Sequence, residues 1–267
     1  LIDMHTHLAG DIQGSGVADP LISSEADDAL AGAANASRTL RAGFTSVRDV
    51  GSWRAFTDVA LRNAINKGLI EGPRMAVVGA YITAPGGGGT ITGLADDVGI
   101  PPSMTVGVVK NEVEMRDKAR NILRHKVDWL KLIATGAVLT VGTEPGQLEL
   151  SEEEIRAAVE EAAKRGTYAT AHAHGGEGIK VAVRAGVRSI EAVTFNASAG
   201  GFLSLVLVKP LLQAVMRESP TVVEKTPYLH NAMLPKVQSG ACLNFIFTSG
   251  QSAVSSVVRG HVTFAWG

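Results

Sequence analysis

The feature that most constrains this chain is a rhythm. Over residues 1–191, short apolar segments alternate with amphipathic ones. Residues 1–8, 44–50, 74–82, 127–133, 167–173 and 187–191 read as strands, being brief and rich in apolar or β-branched side chains. Between them, 24–41, 55–67, 110–125, 151–165 and 178–185 carry helical spacing. Ser151 with Glu154 three residues on is a capping box, and Gly43 ends the first helix. Strands that alternate with helices are covered on both faces, which predicts a parallel sheet. A closed α/β barrel takes about 250 residues, so a chain of 267 does not demand two domains. A doubly wound open sheet is the alternative, although no Gly-x-Gly-x-x-Gly follows any of these strands.

After Glu191 the rhythm stops. Residues 192–267 hold no aspartate and few charges. Within them 202–216 reads as a helix interrupted by Pro210, and 242–248 and 252–258 read as strands. The expected division is therefore a barrel portion over 1–191 and a tail of separate character over 192–267.

Bulk properties exclude several function classes. Net charge is −1, which gives no electrostatic reason to expect nucleic acid or an anionic membrane as partner. No run of about 18 apolar residues marks a membrane span. Cys242 stands alone, so no internal disulfide forms and no oxidising compartment is indicated. No basic-then-apolar leader precedes the first strand, and the chain opens on Leu1, so it reads as a piece of something longer whose compartment is not legible.

Chemistry concentrates at strand ends. His5 and His7 are two apart, so on a strand they share a face. Imidazole suits zinc and related divalent ions. A His-x-His on its own is weak, since two histidines fall two apart by chance. His172 and His174 repeat the spacing at the end of the fifth strand, where the plain reading is that one of them caps the Gly175-Gly176 turn. Lys131 sits inside the apolar run 128–133. A buried ammonium is costly, so its pKa falls; the plain reading is a lysine that snorkels to solvent. The glycine run within 84–90 lacks the Gly-Lys-Ser/Thr ending of a phosphate loop and reads as a mobile loop. Arg48 and Asp49 end the second strand, where a structural ion pair outweighs a substrate contact. His125 ends a helix and is assigned no chemistry.

Residues 1–8 resemble the strand-one signature of the amidohydrolase superfamily. The likeness continues in 44–51, 128–136 and 171–175, and points to the prolidase-like imidodipeptidases and related carboxypeptidases. It implies a TIM-like (β/α) barrel, here with six recognisable units of eight, plus a small β-sandwich from both chain ends that neither end of this sequence displays. It also implies a metal-dependent hydrolase of carbon–nitrogen bonds in small amide or dipeptide substrates, with homo-oligomerisation left open. His5 and His7 would hold one divalent ion and His172 a second, with zinc the leading candidate. Lys131, carboxylated by carbon dioxide, would bridge the two, and His174 would face substrate.

The sequence departs from that family in two places. The family has a histidine after the sixth strand; here Ser189-Ile190-Glu191 is followed by Ala192. The family has an aspartate base after the eighth strand; here no aspartate follows Glu191. His230 and His261 are the only later histidines, and Glu218 and Glu224 are the candidate ligands if the tail is genuine. A change of reading frame near Glu191 is the leading explanation. The alternative function is a catalytically inactive metal-binding fragment that keeps one ion.

Overall fold

A computed structural model of the chain describes residues 1–10, 18–138 and 140–191, and the backbone of 201–205, 207–208 and 245–249. In chain order, β1 (Ile2–Thr6), α1 (Asp19–Ile22), α2 (Glu25–Arg41), β2 (Ser46–Asp49), α3 (Thr57–Asn66), β3 (Arg74–Ala76) and β4 (Tyr81–Ile82) come first. A 3₁₀ turn (Pro102–Met104), α4 (Glu112–Arg124), β5 (Trp129–Ile133), α5 (Glu152–Lys164), β6 (Tyr168–His172), α6 (Gly175–Ala185) and β7 (Ser189–Glu191) follow.

The helices begin where side chains satisfy the free amides of the first turn. Ser24 and Ser151 form capping boxes with Asp27 and Glu154, and the Asn111 side chain accepts from the Glu114 amide. α6 ends at Gly186, whose φ of 96° is left-handed backbone that a side chain rarely adopts.

The strands are parallel in the order β1-β2-β3 and β4-β5-β6-β7. The expected third strand, 74–82, is split. Asp58 Oδ2 accepts the Val78 and Gly79 amides at 3.1 and 2.8 Å, and Asp128 Oδ2 accepts Val77 at 2.9 Å. Carboxylates thus take amides that a continuous ladder would use. The Val77 carbonyl still accepts from Asp128 and Trp129 at 2.8 and 3.2 Å, which joins the two sheets. The result is an arc of six parallel strand positions, the expected incomplete α/β barrel.

Register fixes what each face carries. Lys131 pairs with Thr170, which pairs with Ser189; Ile133 pairs with His172, which pairs with Glu191. Register neighbours, and residues two apart, point the same way. One face of β5–β7 therefore carries Lys131, Thr170, His172, Ser189 and Glu191. The opposite face carries Leu130, Leu132, Ala169, Ala171 and Ile190, which pack in the hydrophobic core with Met115, Ile122, Ile155 and Ile179 from the helices. Burying a side chain such as Ile155 contributes about 1.5–3 kcal/mol. On the solvent side, Arg116 meets Glu160 at 2.8 Å and Arg120 meets Glu161 at 3.0 Å between α4 and α5.

Three expectations are corrected. The 202–216 stretch does not begin as a helix: 201–205 is a strand, β8 (Gly201–Leu205), and β9 (Leu207–Val208) pairs antiparallel with β7. β8 pairs antiparallel with β10 (Phe245–Ser249), which overlaps the strand expected at 242–248. The glycine run is pinned rather than loose. Gly88 donates to Glu149 Oε2 at 2.8 Å, its carbonyl accepts from Thr140 at 2.7 Å, and Gly89 donates to Thr83 Oγ1 at 3.2 Å. A Cβ at Gly88 would lie 2.9 Å from Ala137, so the close fit requires glycine. Lastly, the carboxylate paired with Arg48 is Glu191, not Asp49. Arg48 and Asp49 are successive in β2 and so face opposite ways. Elsewhere, His125 caps the end of α4 and stacks on Phe56, with ring centroids 3.7 Å apart.

Candidate metal centre

β1 delivers His5, and His7 follows directly after it; their rings meet edge to face with centroids 5.2 Å apart. His5 Nδ1 lies 3.2 Å from Glu191 Oε2, and His7 Nδ1 lies 2.6 Å from the Gly51 carbonyl oxygen. A carbonyl only accepts, so Nδ1 of His7 carries the proton and Nε2 carries a lone pair. The same holds for His5 if Glu191 is ionised. Burial would raise that carboxyl, but the His5 hydrogen bond and the charges of Arg48, His5 and Lys131 outweigh it and hold Glu191 below the usual carboxylate range. Both imidazoles of this pair thus turn a bare nitrogen away from their braces, the arrangement typical of histidines that ligate metals.

Glu191 is itself the centre of a buried polar network. Arg48 pairs with it, donates to Ser189 Oγ at 2.9 Å and to the Met4 carbonyl at 2.8 Å, and lies over the Trp129 ring at 4.8 Å. Ser189 Oγ donates to Glu191 Oε1 at 2.9 Å, and Thr170 donates to the same oxygen.

His172 ends β6, and His174 stands at the N-cap of α6 without a side-chain capping bond, so the plain capping reading does not hold for it. Their rings are 4.3 Å apart. Among the described residues, His172 Nε2 is buried without a hydrogen-bond partner, while the ring is hydrogen-bonded to the Gly136 backbone. Burial lowers the pKa of every one of these imidazoles. His7 falls to about 3, with the charges of His5 and Lys131 adding to the effect, and His174 to about 4, with Lys131 adding. His5 is lowered and His172 is pushed well below its ordinary value, with His174, Lys131 and His5 adding to burial at His172. Lys131 lies near enough to all four for its charge to act on each. Its own amine falls to about 8: burial lowers it, Glu191 partly opposes, and Arg48 lowers it further. The snorkelling reading fails, since Lys131 is 2% exposed.

The structure thus places Lys131 within electrostatic reach of His5, His7, His172 and His174. Among the described residues, no three His, Cys, Asp or Glu side chains are grouped as a ready-made metal site. The histidines come as two pairs with a lysine between them. The donor set fits divalent ions on two grounds: neutral imidazoles with bare nitrogens, and an orphaned buried Nε2 on His172 that a cation would satisfy. Ala192, His230, His261, Glu218 and Glu224 lie outside the described residues. Sequence reasoning missed Glu191 as a brace. Its one signal was a carboxylate closing a strand, 187–191, that follows an apolar helix and must be largely buried, where a charge demands a partner.

Comparison with known proteins agrees with this architecture. The chain is 32% identical over 168 residues to an ochratoxinase of Aspergillus niger, a match covering 58% of this chain and 34% of that protein. A solved Xaa-Pro dipeptidase with methionine bound in its active site superposes with a TM-score of 0.66 at 34% identity, over 72% of this chain and 47% of its own. The crystal structure of the A. niger ochratoxinase gives 0.64 at 27%, over 74% and 48%. The chain therefore spans about a third to a half of the length of these relatives. The family model for amidohydrolases matches residues 1–262, running past Glu191 into the tail. With that match across nearly its whole length and six parallel strand positions, this chain belongs to the amidohydrolase family.

Proposed function

We propose that the protein from which this chain comes hydrolyses carbon–nitrogen bonds in small amide or dipeptide-like molecules, using divalent metal. The observation that carries the reading is the bracing of His5 and His7 by acceptors that leave both Nε2 atoms bare. In this reading His5 and His7 hold one ion and His172 a second. Lys131, carboxylated, would be the ligand shared by both; burial lowers its amine to about 8, which raises the fraction in the neutral form that adds carbon dioxide. His174, beside His172, contacts substrate. Zinc is the ion we expect. Bound ions would supply Lewis acidity, polarising the carbonyl and making water nucleophilic near neutral pH. Relatives named for Xaa-Pro dipeptides and for ochratoxin guide the substrate class. We place the barrel portion in 1–191 and treat 192–267 as a separate tail.

A second reading is favoured by one observation: Ala192 stands where a ligand is expected, and no aspartate follows it. This chain alone would then be an inactive fragment that retains one ion. Elemental analysis of wild type and Lys131→Ala, with turnover on a panel of Xaa-Pro dipeptides and acyl amino acids, separates the readings. Two ions with turnover support the hydrolase, and one ion without turnover supports the fragment. Unchanged metal content in Lys131→Ala rejects the bridging lysine.

A further inference from the structure

Asp49 is wholly buried at the end of β2, and the mechanism above makes no use of it. Its carboxylate is spent on main-chain amides. Oδ2 accepts the Leu8 N–H at 2.6 Å, and Oδ1 accepts the Gly51 N–H at 3.1 Å. Leu8 directly follows His7. The carbonyl of Gly51 is the group that receives His7 Nδ1 at 2.6 Å. One carboxylate therefore grips the chain on both sides of a single hydrogen bond: the residue after the imidazole, and the amide of the residue whose carbonyl the imidazole addresses.

The Gly51 peptide has little freedom to compensate. Its φ is +116°, and a Cβ there would lie 2.5 Å from the Tyr81 ring. The Tyr81 hydroxyl approaches the same His7 nitrogen at 3.2 Å, walling the other side.

We propose that Asp49 is a positioning residue: it fixes the Gly51 carbonyl and the Leu8 amide, and through them the tautomer and direction of the His7 ring. The inference rests on the reading of His7 as a metal ligand. Asp49→Asn keeps the size of the side chain but offers one acceptor where two are used. Either Leu8 or Gly51 then faces an NH₂ group, and the His7 ring loses its fixed orientation.

The test is zinc affinity, measured by competition with a chromophoric chelator, on four proteins. His7→Ala checks the underlying reading; if it binds zinc as tightly as wild type, the metal centre is misplaced and this inference goes with it. With His7→Ala weakened, Asp49→Asn is expected to bind zinc about 10–100-fold more weakly than wild type. Asp58→Asn is the control. Asp58 is equally buried and accepts the main-chain amides of Val59, Val78 and Gly79, whereas the amides of Leu8 and Gly51 go to Asp49. It should stay within about twofold of wild type. Wild-type affinity in Asp49→Asn, or an equal loss in Asp58→Asn, overturns the proposal. Should Asp49→Asn not accumulate as folded protein, long-range ¹H–¹⁵N spectra of metal-free wild type decide. The Nδ1–H form of His7 with a slowly exchanging Gly51 amide supports the proposal, and the Nε2–H form overturns it.

Discussion

The two histidine pairs have the same spacing but draw their support from different distances along the chain. At β1, each ring leans on an acceptor supplied by a distant element: Glu191 of β7 for His5, and the peptide after β2 for His7. At β6, His172 buries a ring nitrogen that nothing in the described protein satisfies. The first pair is held by the fold. At the second pair the His172 ring takes its hydrogen bond from the nearby Gly136 backbone, just after β5, and keeps that other nitrogen unsatisfied. An i, i+2 histidine pair is therefore a statement about direction only, and rigidity must come from elsewhere in the chain.

That contrast is breakable. Glu191→Gln removes the charge that braces His5 and leaves Arg48 buried without its partner, so it should cost about 3–5 kcal/mol in urea unfolding of the metal-free protein. A loss below about 1 kcal/mol would mean that the network is not what holds this end together. Tyr81→Phe takes one hydroxyl from the His7 side and should cost about 0.5–1.5 kcal/mol. His172→Leu replaces a ring that has an unmet nitrogen with an apolar side chain, and should change metal-free stability by less than about 1 kcal/mol while zinc binding falls. If His172→Leu proved as damaging as Glu191→Gln, the two pairs would be equally structural and the comparison would fail.

A pH series sharpens it further. His7 and His174 titrate at about 3 and about 4 in the folded chain, below the ordinary histidine value of about 6.5. Between those values the unfolded chain takes up protons that the folded chain refuses, so metal-free stability should fall as pH drops from about 6.5 toward 4. Glu191 has the same sign at lower pH: its folded value is depressed, so its contribution is lost as pH falls below the unfolded carboxyl value of about 4.3. Chemical denaturation at several pH values, in the presence of chelator, checks both, and a flat profile from pH 6.5 to 4.5 would contradict the buried neutral imidazoles.

Much of this arrangement was legible in the sequence, and the part that was not shares one cause. The strand and helix order over 1–191 followed from periodicity, and the candidate residues from spacing and from a lysine inside an apolar run. The braces were invisible because they join residues far apart in the chain, 186 positions for His5 with Glu191 and 44 for His7 with Gly51. The same limit explains the split of 74–82: its apolar run gives no hint that Asp58 and Asp128 capture its amides. Arg48 beside Asp49 reads as a pair from adjacency alone, yet strand alternation sends the two apart and hands Arg48 to Glu191, 143 positions away. The glycine run looked mobile because composition reports conformational freedom and not the partners that remove it.

Strands β5 to β7 present grease outward and polar groups inward, and one alternating pattern encodes both. Sliding β6 by a single position would push His172 and Thr170 among the helix side chains and leave alanines facing the ion pair. Glu191, which Arg48 reaches from β2, would then lose the Thr170 hydroxyl that donates to it. A mispaired sheet would forfeit its oily contacts and a hydrogen bond to a buried carboxylate in the same stroke, so this fold proofreads its own alignment.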